Sequence, residues 1–327
     1  MQVFITGGAG FIGSHLAERL LAAGDKVAVL DDLSTGSMAN IAHLVGSPGF
    51  KHRIGSVTDV PLVAELVDDC DIVVHLAAAV GVQKIIEEPT ATIETNVRGT
   101  EVVLSAASRK KKLCVIASTS EVYGKASKVP FSEDDDVSLG PTTHSRWAYA
   151  CSKALDEWLA LAYAREKKLP VIIARLFNTV GPRQIGRYGM VLPRFASQAL
   201  AGEPITVFGT GEQSRCFCHV RDTVHALTLL MGSGDAVGEV VNIGNDSEVT
   251  IGALAEKVRA AAGSSSPIVR VPYDVAYAKG FEDMERRVPD LVKLARVTGF
   301  RPQTTLDTII DDVVADRRRT MAEGRSE

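Results

Sequence analysis

The chain has 327 residues, a formal net charge of −4 and 46% apolar residues. This length and apolar content suffice to bury the core of one large domain or of two modest ones. Basic residues cluster only at 109–112 and 317–319, both at predicted helix ends where cations favour the helix dipole and face water, so we expect no nucleic-acid partner. No apolar run is long enough to span a membrane, and the first residues lead directly into a strand rather than a signal peptide. We therefore expect a cytoplasmic protein without a membrane partner.

The first predicted element is a short apolar strand, residues 2–6, followed by a glycine-rich turn and an apolar-periodic helix over residues 14–23. Gly7 and Gly10 let the backbone approach a bound pyrophosphate, and Gly13 lets the helix and the strand pack closely. The N-terminus of the helix then faces the phosphates. A glycine turn alone is a weak signal, but a strand, turn and helix in this order predict a dinucleotide site.

The second predicted strand, residues 26–30, ends in Asp31 and Asp32. A carboxylate at the tip of this strand can accept hydrogen bonds from an adenosine ribose, and it would repel a 2'-phosphate. The pattern therefore favours NAD over NADP as the cofactor.

Short apolar runs continue at residues 52–55, 72–76, 113–118 and 171–175, and helical periodicity lies between them. This alternation predicts an α/β fold, a Rossmann-type doubly wound parallel sheet with helices on both faces. We assign residues 1–176 to this NAD-binding domain, with a returning segment near 217–243. Residues 177–316, which are rich in turns and short segments, are expected to form mainly a smaller C-terminal substrate-binding domain. Residues 317–327 are expected to be a flexible tail.

Tyr149 and Lys153 stand four residues apart on a predicted helix, so both side chains project from one face. A free tyrosine has a pKa of about 10, but a nearby lysine cation favours the phenolate and lowers that pKa. Tyr149 is therefore a candidate general base. The spacing alone occurs by chance on many amphipathic helices, and it gains weight from the dinucleotide site and from Thr119.

The five cysteines do not form a disulfide framework of the kind found in small secreted proteins. Cys216 and Cys218 form the one close pair, and alternation in a strand puts both on the same face. No second pair completes a zinc site, and His219 points to the opposite face. We expect these residues to pack in the core and predict no metal.

The glycine spacing, together with Thr119, Tyr149 and Lys153, resembles the extended short-chain dehydrogenase/reductase family and its nucleotide-sugar epimerases, dehydratases and decarboxylases. The resemblance covers nearly the whole chain and is carried further by residues 118–124, 175–183, 213–220 and 287–290. One departure is Ser56, which stands where many relatives have an acid that reads the adenine amino group. Asp59 lies nearby, and the adenine contacts stay open.

The resemblance implies that Thr119 hydrogen-bonds the sugar 4-hydroxyl, that Tyr149 removes its proton and that NAD takes the C4 hydride. Lys153 would also hold the nicotinamide ribose, and Asn96 matches either a position near the active site or a helix-capping residue. The implied cofactor contacts are Gly7, Gly10, Phe11, Ile12, Gly13, Asp31, Asp32, Ser34, Leu76, Ala77, Ala78, Tyr149 and Lys153.

Substrate recognition follows from charge, because a sugar nucleotide carries a pyrophosphate that a closed site must meet with cations and donors. Arg215 and Arg287 stand in family motifs that contact the diphosphate. Asn178 resembles the residue that binds the nucleotide phosphate region, and Arg183 is assigned to the sugar. The expected partner is a UDP-sugar or another nucleotide-sugar.

The residues after Thr119 bear on the chemistry that comes after C4 oxidation. Simple 4-epimerases often have a small residue and no acid here, and glucose 4,6-dehydratases typically have Asp at the position of Ser120. Ser120 and Glu121 instead resemble UDP-glucuronate decarboxylases, although mannose-type dehydratases share the triplet. A carboxylate near C5 can take a proton or assist a departing carboxylate. The alternative is a purely structural role, in which Glu121 stabilises its loop.

We therefore expect an NAD-dependent enzyme of nucleotide sugars, foremost a UDP-glucuronate decarboxylase that forms UDP-xylose through a 4-keto intermediate. A 4-epimerase of UDP-glucose or UDP-glucuronate is the first alternative, and a 4,6-dehydratase follows. Residues 141–147 and 186–193 match neither class decisively. A non-catalytic NAD sensor is the alternative from another class, but it predicts a broken proton-transfer set, and Thr119, Tyr149 and Lys153 are all present. Surplus apolar positions on the helices at 92–107 and 149–167 predict a homodimer.

Overall fold

The computed structural model describes residues 1–79, 88–126, 128–144, 146–186, 190–272, 284 and 286–324. Strands and helices alternate through the first half, in the order β1 (Gln2–Thr6), α1 (Phe11–Ala22), β2 (Lys26–Asp31), β3 (Phe50–Ile54), α2 (Val60–Asp68), β4 (Ile72–His75), α3 (Pro89–Lys110), β5 (Leu113–Thr119), α4 (Arg146–Lys167) and β6 (Val171–Leu176). Shorter elements follow, namely β7 (Thr179–Val180), α5 (Val191–Ala201), β8 (Ile205–Phe208), β9 (Ser214–Cys216), β10 (Cys218–His219), α6 (Val220–Gly232), β11 (Val240–Ile243), β12 (Glu248–Thr250), α7 (Ile251–Ala262), β13 (Ile268–Val271), α8 (Val292–Thr298) and α9 (Leu306–Ala322).

Seven strands form one parallel sheet in the order β11-β6-β5-β4-β1-β2-β3. The predicted doubly wound α/β fold is confirmed. Because the strand order reverses beside β1, a crevice opens at the carboxyl ends of β1 and β4, which is where ligands bind in sheets of this kind. β11, which lies within the segment predicted to return, pairs with β6.

The inner strands of the sheet are apolar and buried on both faces, whereas the edge strand β3 carries Lys51, His52 and Arg53 and is largely open to water. Val3 and Ile5 of β1 point into one core with Leu16 and Leu20 of α1, whereas Phe4 points into the opposite core with side chains of α2, α3 and α4. Successive strand residues face opposite sides. Each fully buried large apolar side chain stabilises the fold by about 1.5–3 kcal/mol relative to an exposed one.

The C-terminal part has its own apolar core, in which α5, α7 and α9 pack around β8. β13 pairs with β8 in parallel, and β12 pairs with β9 in antiparallel register. The division into domains at residue 176 stays a prediction.

The basic cluster at residues 317–319 does not mark the start of a frayed tail. α9 continues to Ala322, and Arg317 is buried and donates a hydrogen bond to the backbone carbonyl of Gln184 at 2.8 Å. The expectation that all three arginines face water was therefore wrong for Arg317. The preceding apolar positions of α9, such as Val313 and Val314, fix the face on which Arg317 must lie.

A buried ion pair fixes α4 against the sheet. Glu157 on α4 accepts two hydrogen bonds from the Arg175 guanidinium of β6, at 2.9 and 2.7 Å, and another from the Ser118 hydroxyl of β5. The pair is enclosed, with both side chains 6% exposed. The contact aligns α4 with the carboxyl ends of two neighbouring strands, where Thr119 and Leu176 lie.

Two glycine substitutions test the packing of the glycine turn. A Cβ at Gly13 would lie 2.2 Å from the carbonyl oxygen of Gly7 and 2.8 Å from Cα of Gly8, whereas a Cβ at Gly232 meets nothing within 4 Å. We expect Gly13→Ala to lower the free energy of unfolding by about 1–3 kcal/mol, as overpacking does, and Gly232→Ala to leave it near the wild-type value. Denaturation of both variants, followed by circular dichroism, measures the difference; equal stabilities would contradict the proposed backbone contact.

Candidate active site

The first part of the site is the N-terminus of α1. Gly10 is the N-cap residue, and no side chain caps the helix, so its first amide groups are available to an anion. Gly7 has a φ of +70°, and a Cβ there would lie 2.8 Å from the backbone nitrogen of Ala77. The turn therefore requires glycine for its conformation and for its contact with the end of β4. An uncapped helix that begins at a bare backbone turn fits the pyrophosphate of NAD.

Asp31, at the end of β2, is held in place by the backbone. One carboxylate oxygen accepts the amide of Ala9 at 2.9 Å, and the other accepts the amide of Leu33 at 2.9 Å. Burial raises the pKa of Asp31, and these amides act in the opposite direction. A carboxylate has roughly four acceptor sites, so lone pairs remain for ribose hydroxyls. Asp32 accepts the amide of Ser34 at 2.9 Å and so shapes the following turn.

A single cavity of about 580 Å³ runs from the glycine turn to the C-terminal part. Every site residue predicted from the sequence lines it: Gly7, Gly10, Phe11, Ile12, Gly13, Asp31, Asp32, Ser34, Leu76, Ala77, Ala78, Thr119, Ser120, Glu121, Tyr149, Lys153, Asn178, Arg183, Arg215 and Arg287. The structure thus brings together residues from both halves of the chain, while their individual roles stay predictions.

Thr119 and Tyr149 meet at the carboxyl end of β5. The Thr119 side chain lies close enough to the Tyr149 hydroxyl to favour the ionised form of that phenol, and the Thr119 hydroxyl oxygen accepts the amide of Glu121 at 3.2 Å. Thr119 thereby ends its strand, caps the following turn at Ser120–Tyr123 and faces Tyr149. Two hydroxyls held together in this way can share a proton with a substrate hydroxyl.

The expectation that the pKa of Tyr149 is lowered was wrong. Burial, followed by the Glu121 carboxylate, raises the pKa of Tyr149. The Lys153 ammonium lies 2.8 Å from Asp156, and both side chains are almost completely buried. The sequence spacing correctly placed Lys153 on the face of Tyr149, but it gave no sign that Asp156, less than one turn further along α4, would accept the ammonium.

Glu121 and Arg287 form an ion pair of 2.8 Å at the same end of the cavity. Arg287 lies near enough to Tyr149 for its charge to oppose the rise in the pKa of that phenol. The resemblance assigned Arg287 to the diphosphate, but the structure places its guanidinium against the carboxylate beside the catalytic hydroxyls. An arginine here is positioned to meet an acidic group on the reacting part of a substrate.

The other predicted substrate residues occupy different walls. Asn178, after β6, donates to the carbonyl of Cys216 at 3.0 Å, and buried Arg215 of β9 donates to the carbonyl of Ser214 at 2.7 Å. The two side chains lie on neighbouring segments, as a joint phosphate contact requires.

Arg183 does not point to the sugar end as the resemblance suggested. Its guanidinium contacts Ser14 and Glu18 of α1, at 3.2 and 2.5 Å, and its amide donates to Asp316 of α9 at 2.9 Å. Arg183 has a φ of +70°. Arg183 therefore joins α1, the helix after the glycine turn, to the C-terminal part, and it lies on the cofactor side of the cavity.

Asn96 is a buried brace rather than a helix cap. Its side-chain oxygen accepts the amide of Ala79 at 2.8 Å, and its amide group donates to Ser152 at 3.2 Å. Ser152 in turn donates to the carbonyl of Tyr149 at 2.8 Å. Asn96 thus ties the loop after β4 to the turn of α4 that carries the tyrosine.

The residues around the predicted adenine site and the cysteine pair have local roles. The Ser56 hydroxyl lies 2.8 Å from that of Thr58, and Asp59 caps α2 by accepting the amide of Leu62. Cys216 and Cys218 are buried, as expected. Among the described residues, no group of three or more potential ligands is arranged to hold a metal ion.

Sequence reasoning missed the C-terminal wall of the cavity. Phe208, Arg194 and Gln213 line it, with the guanidinium carbon of Arg194 3.9 Å from the Phe208 ring centre and Gln213 donating to the Phe208 carbonyl at 2.8 Å. An aromatic residue directly before Gly209 was the available signal, since flat rings beside a cavity suit a nucleobase. The segment 187–189 of the open stretch 186–193, and residue 145 of 141–147, lie outside the described residues.

Residues 3–244 match the family model described as the NAD dependent epimerase/dehydratase family. The chain belongs to this family. The predicted enzyme class and NAD cofactor are thereby confirmed. In the part of the chain that the structure describes, no helix is long and apolar enough to cross a membrane.

Individual relatives match over most of their length. The chain is 42% identical to UDP-N-acetyl-alpha-D-glucosaminuronate decarboxylase of Bacillus cytotoxicus, covering 96% of each chain. It is 36% identical to UDP-glucuronic acid decarboxylase 1 of Xenopus tropicalis, covering 94% of this chain and 69% of that one. The structure of UDP-glucuronic acid 4-epimerase of Bacillus cereus, solved with UDP-glucuronic acid and NAD, superposes with a TM-score of 0.87 at 26% identity, covering 98% and 99%.

Substitution of Asp31 tests the cofactor end of the site. Asp31→Ala removes the ribose acceptor and the acid that repels a 2'-phosphate, so we expect NAD to bind about 10- to 100-fold more weakly, a loss of roughly 1.4–2.8 kcal/mol. Preference for NAD over NADP should fall as well. Calorimetric titration with both cofactors measures the change, and Asp235→Ala, an exposed aspartate that does not line the cavity, serves as the control. An unchanged preference in Asp31→Ala would contradict the assignment.

Proposed function

We propose that this protein is a UDP-glucuronate decarboxylase that forms UDP-xylose through a 4-keto intermediate. The observation that carries the proposal is the Arg287–Glu121 ion pair beside Thr119 and Tyr149. A cation in this position suits a substrate with a carboxylate next to its reacting carbon. Relatives named as decarboxylases of two UDP-uronates support the same reaction.

Gly7, Gly10, Gly13 and Asp31 would hold NAD, which would supply the hydride acceptor and donor for C4. Tyr149 then takes the proton of the 4-hydroxyl, while Thr119 holds that hydroxyl in line. Because burial and Glu121 raise the pKa of Tyr149, the phenol is protonated near neutral pH. Positive charge brought near the phenol is what makes it a base.

Oxidation at C4 places a ketone beta to the C6 carboxylate. The C5–C6 bond then breaks, its electron pair passes to C5 and onto the ketone oxygen, and C6 leaves as carbon dioxide. A proton is added at C5, and reduction at C4 completes the product. Arg287, which pairs with Glu121 at 2.8 Å, would hold the carboxylate before the bond breaks. Glu121 is assigned to proton transfer at C5.

The nucleotide end is assigned to the remaining walls. Asn178 and Arg215 meet the diphosphate, where amide and guanidinium donors match phosphate oxygens. Phe208 and Arg194 form a flat surface for the base. All four lie on the C-terminal side of the cavity, so the sugar projects toward Tyr149.

UDP-N-acetylglucosaminuronate is the second candidate substrate. The relative with 42% identity is named for that sugar, which differs from glucuronate only in its substituent at C2. The ion pair at Arg287 serves either sugar, since both carry the C6 carboxylate. The same assay distinguishes them.

The reaction is tested by incubating the purified enzyme and NAD with UDP-glucuronate, UDP-N-acetylglucosaminuronate and UDP-glucose separately. We expect carbon dioxide and a pentose product from a uronate, and none from UDP-glucose. Tyr149→Phe should lower the rate by about 10²–10⁴-fold, the usual contribution of a general base, while NAD binding is kept. Mass spectrometry and carbon dioxide trapping measure both. A C4-inverted uronate without gas would establish a 4-epimerase instead, and loss of water a dehydratase.

We also propose a cytoplasmic location. All five cysteines are free, and Cys151 is exposed. Free thiols are typical of a reducing compartment.

We further propose that the protein is a homodimer through α3 and α4. Cys151, Leu155 and Trp158 form an exposed stripe on α4, with Trp158 60% exposed, and Ile93 of α3 is also exposed. A two-fold axis brings identical stripes together, so that each buries the other.

Substitution of Trp158 tests this interface. We expect Trp158→Glu to convert a dimer to a monomer, because two carboxylates would meet in an apolar contact. Exposed Val292→Glu, on α8, is the control and should leave the mass unchanged. Light scattering after gel filtration at micromolar concentration measures the molar mass of each variant. A wild-type monomer would contradict the dimer.

A further inference from the structure

Lys153 and Asp156 form an ion pair that is closed off from water. The ammonium nitrogen lies 2.8 Å from the Asp156 carboxylate, and the side chains are 3% and 0% exposed. Tyr149, Lys153 and Asp156 are spaced four and three residues apart, so they share one face of α4. The helix therefore presents a phenol, a cation and an anion in series.

Neutral groups lie between Asp156 and the sheet. Thr100 lies near Asp156, and its hydroxyl oxygen is 3.1 Å from Nε2 of His75. Nδ1 of His75 lies 2.8 Å from the Thr6 hydroxyl, which accepts the amide of Ala77 at 3.1 Å. Burial lowers the pKa of His75 to about 3, so the ring is neutral. These groups surround Asp156 without adding a charge.

Charged groups on three elements surround the Tyr149 hydroxyl. Glu121 follows β5, Arg287 lies in the segment before α8, and Lys153 with Asp156 belongs to α4. Glu121 and Arg287 already form a pair. Neutral His75 of β4 faces Lys153, and Glu157, adjacent to Asp156, is bound to Arg175. Lys153 and Asp156 are thus the groups whose balance determines the remaining charge near the phenol.

We propose that Asp156 is a positioning residue for the proton transfer, which pairs with Lys153 and so limits how much of the ammonium charge reaches the Tyr149 hydroxyl. This inference rests on the proposed function, since it takes Tyr149 as the base. While the carboxylate is present, the pair is close to neutral. Without it, the cation acts on the phenol alone.

The direct test is the titration of Tyr149 in Asp156→Asn with NAD bound and no sugar present. Near-ultraviolet absorbance reports tyrosinate, and subtraction of the same protein carrying Tyr149→Phe isolates this phenol from the other tyrosines. We expect its pKa to fall by roughly one unit or more relative to wild type, the usual scale for removal of a nearby like charge. The acid limb of kcat should move to lower pH by the same amount, because less alkaline solution then suffices to ionise the base.

Glu239→Gln is the control. Glu239 also belongs to a carboxylate–ammonium pair, with Lys293 at 3.1 Å, but it does not line the cavity. The Tyr149 titration should stay at its wild-type position in this variant. Asp156→Ser, which also removes the charge, replaces Asp156→Asn if the asparagine variant is recovered poorly, and the same shift is expected.

A Tyr149 titration that is unchanged or moved to higher pH in Asp156→Asn and Asp156→Ser would overturn the inference. The absorbance titration needs no substrate, so this result is separate from failure of the proposed reaction. If the wild-type enzyme released no carbon dioxide but its titration shifted as expected, the proposed substrate would be wrong and the role of Asp156 would stand.

Discussion

The contact of Glu157 with Arg175 and Ser118 determines where α4 lies, and the active site depends on it. A buried pair of this kind holds its elements together because removing one partner leaves the other charge uncompensated, at a cost of about 3–5 kcal/mol. Here it ties α4 to the carboxyl ends of β5 and β6. Thr119 follows Ser118 directly, and Tyr149 precedes Glu157 by about two turns of α4. The contact therefore determines where these two side chains meet.

Around this frame, opposite charges occur in pairs that a substrate or cofactor can rearrange. Glu121 with Arg287, and Lys153 with Asp156, each hold a cation beside the phenol while compensating it with a carboxylate. Burial and the Glu121 carboxylate favour the protonated phenol of Tyr149. A phenolate in this buried site is costly unless positive charge lies beside it.

Short-range sequence patterns predicted the fold and which residues line the site. Strand alternation, glycine spacing and the ends of parallel strands can each be recognised within a short segment. All the predicted residues line one cavity. Sequence patterns did not predict contacts between distant segments. Such contacts depend on the packing of the C-terminal part, which has no periodic signature in the sequence. Examples are the pairs Arg287–Glu121 and Arg183–Glu18 and the burial of Arg317 against Gln184.

Reversible oxidation at C4 is the central claim, and an isotope label tests it most directly. UDP-glucuronate carrying deuterium at C4 is converted in ordinary water by the enzyme with NAD, and the product is examined by mass spectrometry and NMR. Because the proposed reaction moves the C4 hydride to NAD and back, we expect the deuterium to return to C4 and one solvent hydrogen to appear at C5. Product that has lost the C4 label to water would contradict the account.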